Sequence, residues 1–330
     1  MKFANVSENT PVTRRKLLAL AGAACLPVPA LSQGNFPTRA ITLLVPWSAG
    51  GATDVTLRLL AELAAKTLGQ RIIVDNRPGA GGTMAMPVLQ QAAPDGYTLA
   101  QLPYPALRTP HVQKVSWDPI RDTTPIIQIS GVTFGVVVPA NSPFKSFDDM
   151  LKFAAAQPGE LTISTNGLGT TPHVVLDELF GRKNLTYIHV PYKGTAEQML
   201  AVASGHLMAG VNSNGFAPYV DSGRLRLLVT FGEQRSQRWS HVPTLKELGF
   251  GTVAMSPYGL VGPRGLEAAT LRTLHDAFKL ALFDPQHVAE LAKYEQEPIY
   301  LDSKDYASAL REAYATERRS AERLGQIRAP

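Results

Sequence analysis

A single cysteine, Cys25, stands near the N-terminus of this 330-residue chain, so the remainder has neither a disulfide nor a thiol nucleophile. No apolar run beyond the N-terminal region approaches the ~20 residues that a membrane span needs. Charge is scarce as well: 18% of residues are charged and the formal net charge is +5. Residues 1–32 hold Lys2, Arg14, Arg15 and Lys16 against Glu8, so the rest is left with about +2, too weak a bias for nucleic acid or a membrane surface. Catalytic signatures are absent: there is no Gly-x-Ser-x-Gly elbow, no Gly-x-x-x-x-Gly-Lys phosphate loop and no His-Glu-x-x-His.

Residues 1–32 read as an export signal, with basic residues before the apolar run Leu17 to Ala24 and small residues near Ala30-Leu31-Ser32. Thr13-Arg14-Arg15-Lys16-Leu17-Leu18 suits either twin-arginine or ordinary secretion. Gly22-Ala23-Ala24-Cys25 offers lipoprotein anchoring as an alternative, although a large aliphatic residue is expected where Gly22 stands.

The remaining ~300 residues suit two domains better than one. Strand-like runs alternate with helical periodicity: Ile41 to Val45, Thr53 to Leu68, Ile72 to Val74, Thr83 to Ala92, Tyr97 to Leu102, the signature of parallel βαβ units. Prolines and polar residues break the pattern from Pro103 to Pro125, and short strands return at Ile126–Ile129 and Phe134–Val138. A second alternating series runs from a helix capped by Ser146 to a strand at Leu225–Phe231. Met255 to Val261 reads as a strand returning to the first domain, followed by helices at 266–283, 285–294 and 303–324. The expected division is residues 33–138 with 257–330, and 139–256, joined by a hinge.

Two glycine-rich loops each follow a strand and precede a helix: Trp47-Ser48-Ala49-Gly50-Gly51-Ala52-Thr53-Asp54 and Asn166-Gly167-Leu168-Gly169-Thr170-Thr171-Pro172-His173. Glycine lets backbone N–H groups approach a guest, and a helix start adds positive partial charge. Each alone is a tight connection; the pair, both free of Lys, Arg and Glu, suggests a two-jawed clamp for a small carboxylate. Trp47, Ser48, Ala49, Gly50, Gly51 and Asp54 form one candidate jaw, with Asn166, Gly167, Gly169, Thr170 and His173 the other. Bulky residues at Gly50 or Gly169 are expected to abolish binding.

Several of these side chains have ordinary alternatives. Asp54 caps its helix or accepts from a ligand, and His173 donates to a ligand or satisfies a backbone carbonyl. His173 and Asp177 share a helix face, but no further metal ligand occurs at a recognisable spacing. Further candidates are Gly81 in the loop Asn76 to Gly82, Tyr104 at a strand end, Tyr192 and Lys193, and the uncharged donors Asn212 and Asn214.

The ordered segments Val45-Pro46-Trp47-Ser48-Ala49-Gly50-Gly51-Ala52-Thr53-Asp54, Asn76-Arg77-Pro78-Gly79-Ala80-Gly81-Gly82, Ala93-Pro94-Asp95-Gly96-Tyr97 and Val190-Pro191-Tyr192-Lys193-Gly194 complete a pattern. It resembles the substrate-binding proteins of tripartite tricarboxylate transporters, the Bug family of periplasmic receptors. The resemblance implies an α/β, two-domain periplasmic-binding-protein fold of the Venus-flytrap, type II-like kind, each domain a mainly parallel sheet flanked by helices. It implies closure on a small organic acid, with di- or tricarboxylates and aromatic acids in range, a permease partner in the membrane, and a monomer. No cofactor, metal or catalytic residue is expected. Trp47 stands where the family usually has phenylalanine, and Leu102-Pro103-Tyr104-Pro105 replaces a small polar stretch; these aromatics favour an acid with an apolar body. An exported enzyme using His173 or Asp54 as a base, and a sensor serving a signalling partner, are the rival readings.

Overall fold

The computed structural model describes residues 36–327; the export signal assigned to residues 1–32, with Cys25, lies outside them. The described residues open with three βα units. They comprise β1 (Ile41–Val45), α1 (Ala52–Leu68), β2 (Ile72–Asn76), a short 3-10 turn at Ala80–Gly82, α2 (Ala85–Gln91), β3 (Thr98–Leu102) and α3 (Pro105–Val112). β1 is apolar and almost wholly buried because it lies between β2 and β3, parallel to both. α1 turns its leucines and alanines inward and stops at Gly69 in the left-handed conformation.

The next element is the 17-residue strand β4 (Thr123–Pro139). A second set follows: α4 (Phe147–Ala156), β5 (Thr162–Thr165), α5 (Thr171–Arg182), β6 (Ile188–Pro191), α6 (Thr195–Ala203), β7 (Ala209–Ser213), α7 (Ala217–Asp221) and β8 (Leu225–Thr230). α4 opens on a capping box, Ser146 accepting from the Asp149 N–H and Asp149 accepting from the Ser146 N–H. The chain returns through β9 (Met255–Pro263) and ends in α8 (Ala268–Leu282), α9 (Pro285–Ala292) and α10 (Ser303–Arg323).

The strands join in the order β2-β1-β3-β9-β4-β7-β5-β6, with β8 also on β4. Parallel pairing covers the outer strands, while β9 and β4 bring antiparallel pairing to the middle. β4 serves two sheets: Thr123 to Thr133 pair with β9, and Phe134 to Val137 pair with β7. Two register shifts against β9, between Pro125 and Ile127 and between Gln128 and Ser130, bend it. Two apolar clusters lie against these sheets, one including Leu44, Met86, Leu107 and Trp117, the other Val137, Met199, Phe216 and Trp239. As the returning strand implies, α8 and α9 pack on α1, and α10 packs on α3 and β4.

Two local readings need correction. The stretch 103–125 contains α3, which tolerates Pro105 because the first helical turn has no acceptor for that N–H. The two short strands expected at 126–129 and 134–138 are one strand. Gly131 stays in the ladder, paired with Pro257, and a Cβ there would crowd Met255 and Ile299 at 3.1 and 3.2 Å.

Candidate functional site

The ends of β1, β3, β5, β6 and β7, with the middle of β4 and the start of β9, enclose a pocket of about 630 Å³, counting the space open to solvent at its mouth. This is where open α/β sheets gather ligands, beyond the carboxyl ends of parallel strands. Besides α3, whose Tyr104 and Pro105 line it, three helices begin on it: α1 through Gly51, Thr53 and Asp54; α5 through Thr170, Thr171 and Pro172; α6 through Thr195. Their N-cap residues, Gly51, Thr170 and Gly194, make no side-chain capping bond. The first-turn amides therefore remain open to an incoming acceptor. Elsewhere α4, α9 and α10 are capped by Ser146, Asp284 and Asp302, while α2, α7 and α8 also lack a side-chain cap. Among the described residues no Lys, Arg or His lines the pocket, and Asp54 is its one carboxylate.

Of the residues singled out from sequence, Trp47, Ser48, Gly51, Asp54, Tyr104, Asn166 and Thr170 line this pocket. Asp54 is 1% exposed and fully committed: one oxygen accepts from the Gly50 N–H (2.9 Å) and from Arg58 Nε (3.0 Å), the other from Asn76 Nδ2 (2.8 Å). It braces the loop and has little capacity left for a ligand. Trp47 is fixed by donating from Nε1 to Gln101 Oε1 (3.0 Å), with Gly82 beneath the indole, where a Cβ would meet Cη2 at 2.8 Å.

Ala49 and Gly50 are exposed and lie off the pocket. Three glycine amides expected to serve the guest are taken by the protein itself. Gly50 donates to Asp54, Gly167 to Thr165 Oγ1 (3.2 Å) and Gly169 to His173 Nδ1 (3.2 Å). The anion-facing donors are thus the helix starts that follow the glycines. Gly81, Gly167, Gly169, Tyr192 and Lys193 line a second groove, where the third loop meets the second glycine loop. Asn212, fully buried, sits behind the pocket and donates to Asn166 Oδ1 (2.5 Å) and Gln198 Oε1, while Thr195 Oγ1 donates to its Oδ1 (3.2 Å). Asn214 is bonded to Thr133 and faces a different groove.

His173 also lies outside the pocket, beneath the second glycine loop. Its Nε2 is 3.4 Å from Asp177 and its ring stacks at 4.2 Å on His189, whose Nε2 bonds Thr165 Oγ1 (2.7 Å). Burial lowers both histidines; Asp177 opposes this at His173, and His173 pushes His189 down further, to about 4. Both rings are therefore neutral at pH 7, as Nδ1 of His173 must be to accept the Gly169 N–H. The unfolded chain protonates near 6.5, so it binds more protons than the fold between there and about 4, and stability falls with pH across that window. Melting temperatures measured from pH 7 to 4 are expected to drop, and His189→Gln is expected to flatten the drop; an unchanged slope would contradict the assignment.

Sequence reading missed the pocket floor. Val132 and Phe134 come from β4, Ser256 and Tyr258 from β9, and Ser213 from the end of β7, positions set by long-range pairing with no local signature. Gln101 and Thr195 had weak signals, a polar residue in an apolar strand and a threonine after Tyr192-Lys193-Gly194. The jaws meet closely. A Cβ on Gly81 would lie 2.7 Å from the Leu168 carbonyl oxygen, one on Gly194 2.4 Å from Ser48 Cβ, and Thr171 Oγ1 bonds Ser256 Oγ at 2.7 Å.

Residues 56–325 match the model of the tripartite tricarboxylate transporter family receptor. The chain belongs to this family. It is 44% identical over 324 residues, 96% of this chain and 99% of the relative, to a UPF0065 protein in the gbd 5′ region of Cupriavidus necator. It is 30% identical to the protein BugT of Bordetella pertussis over 86% of this chain and 87% of that one. Among solved structures, an R. palustris protein with adipate superimposes with a TM-score of 0.82 at 27% identity, covering 88% of this chain and 99% of that one. MatC from Rhodopseudomonas palustris with bound malate gives 0.80 at 25%, covering 86% and 99%. The receptor fold is thus the α/β fold of periplasmic binding proteins, and no helix among the described residues is long and apolar enough to cross a membrane.

Proposed function

We propose that this receptor captures a small organic carboxylate in the periplasm and hands it, as a monomer, to the membrane permease of a tripartite transporter, without transforming it. The observation that carries the reading is the meeting of three uncapped helix starts on a pocket without cationic side chains. A carboxylate there is bound by amides and hydroxyls, each charge-assisted bond contributing roughly 1.5–3 kcal/mol. The relatives solved with adipate and malate support the same ligand class.

Closure supplies the signal. The two sheets carry the two lobes, hinged where β4 leaves β9 in the first sheet to pair with β7 in the second. Donors from both lobes reach the guest together only when the seam at Gly81, Leu168 and Gly194 is shut, so the ligand stabilises the closed form. Against the rival enzyme reading, Asp54 already accepts three bonds within the protein and His173 lies off the pocket.

A thermal-shift panel of organic acids, sugars and amines tests this. One or more acids are expected to raise the melting temperature while sugars and amines do not, at ligand concentrations where RT ln(1 + [L]/Kd) reaches about 2.7 kcal/mol. Stabilisation by sugars or amines with none by acids would overturn the carboxylate reading.

A further inference from the structure

Building on that carboxylate reading, we infer that the guest is a monocarboxylate with an apolar body, its carboxylate on the helix starts and its body on the hinge-side floor, and that a second carboxylate is rejected. The strand order sets the polarity of the pocket. In the first sheet β3 adjoins β9, while β1 lies one strand further out; in the second β7 adjoins β4, and β5 and β6 lie further out. Residues after the outer strands, Ser48, Thr53, Asn166 and Thr195, carry the hydroxyl, amide and helix-start donors. The inner side is built from Pro103, Tyr104, Pro105, Val132, Phe134 and Tyr258.

On the inner side most polar atoms are already engaged. The Tyr104 hydroxyl lies near Glu317, and burial followed by that carboxylate pushes it up to about 12. Tyr258 Oη donates to Gln296 Oε1 (2.8 Å), and Ser213 Oγ to Asn212 Oδ1 (3.2 Å). Gln101 accepts from Trp47 and donates from Nε2 to the Leu102 carbonyl (3.3 Å). α3 also begins here with little to offer: Pro103 and Pro105 lack an N–H, and Ala106 and Leu107 donate to the carbonyls of Pro103 and Tyr104 (both 2.9 Å), which leaves the Tyr104 N–H. The nearby Arg108 is 3% exposed and tied to Glu317 and Gln326. A second carboxylate placed here would lose its water and find few donors in return, the Tyr104 N–H, the second Gln101 N–H and one hydroxyl of the Thr171–Ser256 pair, while facing Glu317 across Tyr104. An aromatic ring or branched alkyl chain instead buries apolar area against Val132, Phe134 and the prolines.

Calorimetric titration of the protein with two matched pairs tests this, hexanoate against adipate and benzoate against terephthalate, with malate and citrate alongside. The monoacid is expected to bind at least tenfold more tightly in each pair that binds. Equal affinity, a preference for the diacid, or binding of malate or citrate alone overturns the inference and leaves the carboxylate reading standing. Failure of all six acids to bind at millimolar concentration overturns both.

Discussion

Replacing Gly81 with leucine is expected to weaken ligand binding at least 100-fold, about 2.7 kcal/mol, while the chain still folds. Gly81 has φ +64, and its missing Cβ leaves room for the Leu168 carbonyl, which a side chain would meet at 2.7 Å. Backbone cannot yield as a flexible side chain would, so the seam stays ajar and the two sets of helix starts no longer reach one guest. Leucine at a positive φ also strains the open form, by roughly 1–2 kcal/mol. Gly223→Ala separates the two effects, since Gly223 has φ +69 but open space around it. That control is expected to lower the melting temperature and leave the dissociation constant unchanged. Titration of both variants with the same acid decides; wild-type affinity in Gly81→Leu would mean that seam contact is not needed for binding.

Asp54→Ala is expected to be the most damaging single change in the first jaw. It removes the acceptor of the Gly50 N–H, Arg58 Nε and Asn76 Nδ2 together. Each buried donor left without a partner costs about 1–3 kcal/mol; Arg58 is half exposed and recovers water. Asn76 also donates to the Trp47 carbonyl (2.8 Å), so losing Asp54 frees the loop that carries Trp47 and Ser48. Denaturant unfolding should show the stability loss, and affinity should fall with it. Asp54→Asn keeps the shape and part of the acceptor capacity and is expected to fall between. A melting curve for Asp54→Ala that overlays the wild type would refute the bracing role.

The sequence exposed much of this architecture because its signals are local. β-branched runs such as Ile41 to Val45 lie within a few residues of helix-forming segments, and Gly69, Ser146 and Pro285 mark helix ends. The glycine loops were legible for the same reason, as strand-to-helix connections free of large charged side chains. Their chemistry was harder to read. Gly50 and Gly169 looked like close-approach positions, yet a Cβ at either meets open space, and glycines crowded from the opposite sheet include Gly81 and Gly194. Nothing local separates these cases, because crowding depends on which loop arrives from the other sheet. Likewise Thr165 and His173 take the amides of Gly167 and Gly169 through side-chain bonds that residue type alone does not foretell. Val132, Phe134 and Tyr258 reach the pocket because β4 passes from one sheet to the other and pairs with β9 at their centre, a pairing over more than 100 residues that sequence periodicity does not encode.

The central claim is that uncapped helix starts, with no cationic side chain, hold a negatively charged group. It is tested most directly by titrating the protein with the tightest-binding acid from the panel and with the primary amide of that acid, which matches its shape without the charge. The account predicts that the amide binds at least 100-fold more weakly, with both measured well above the acid's pKa. Equal affinities would contradict it.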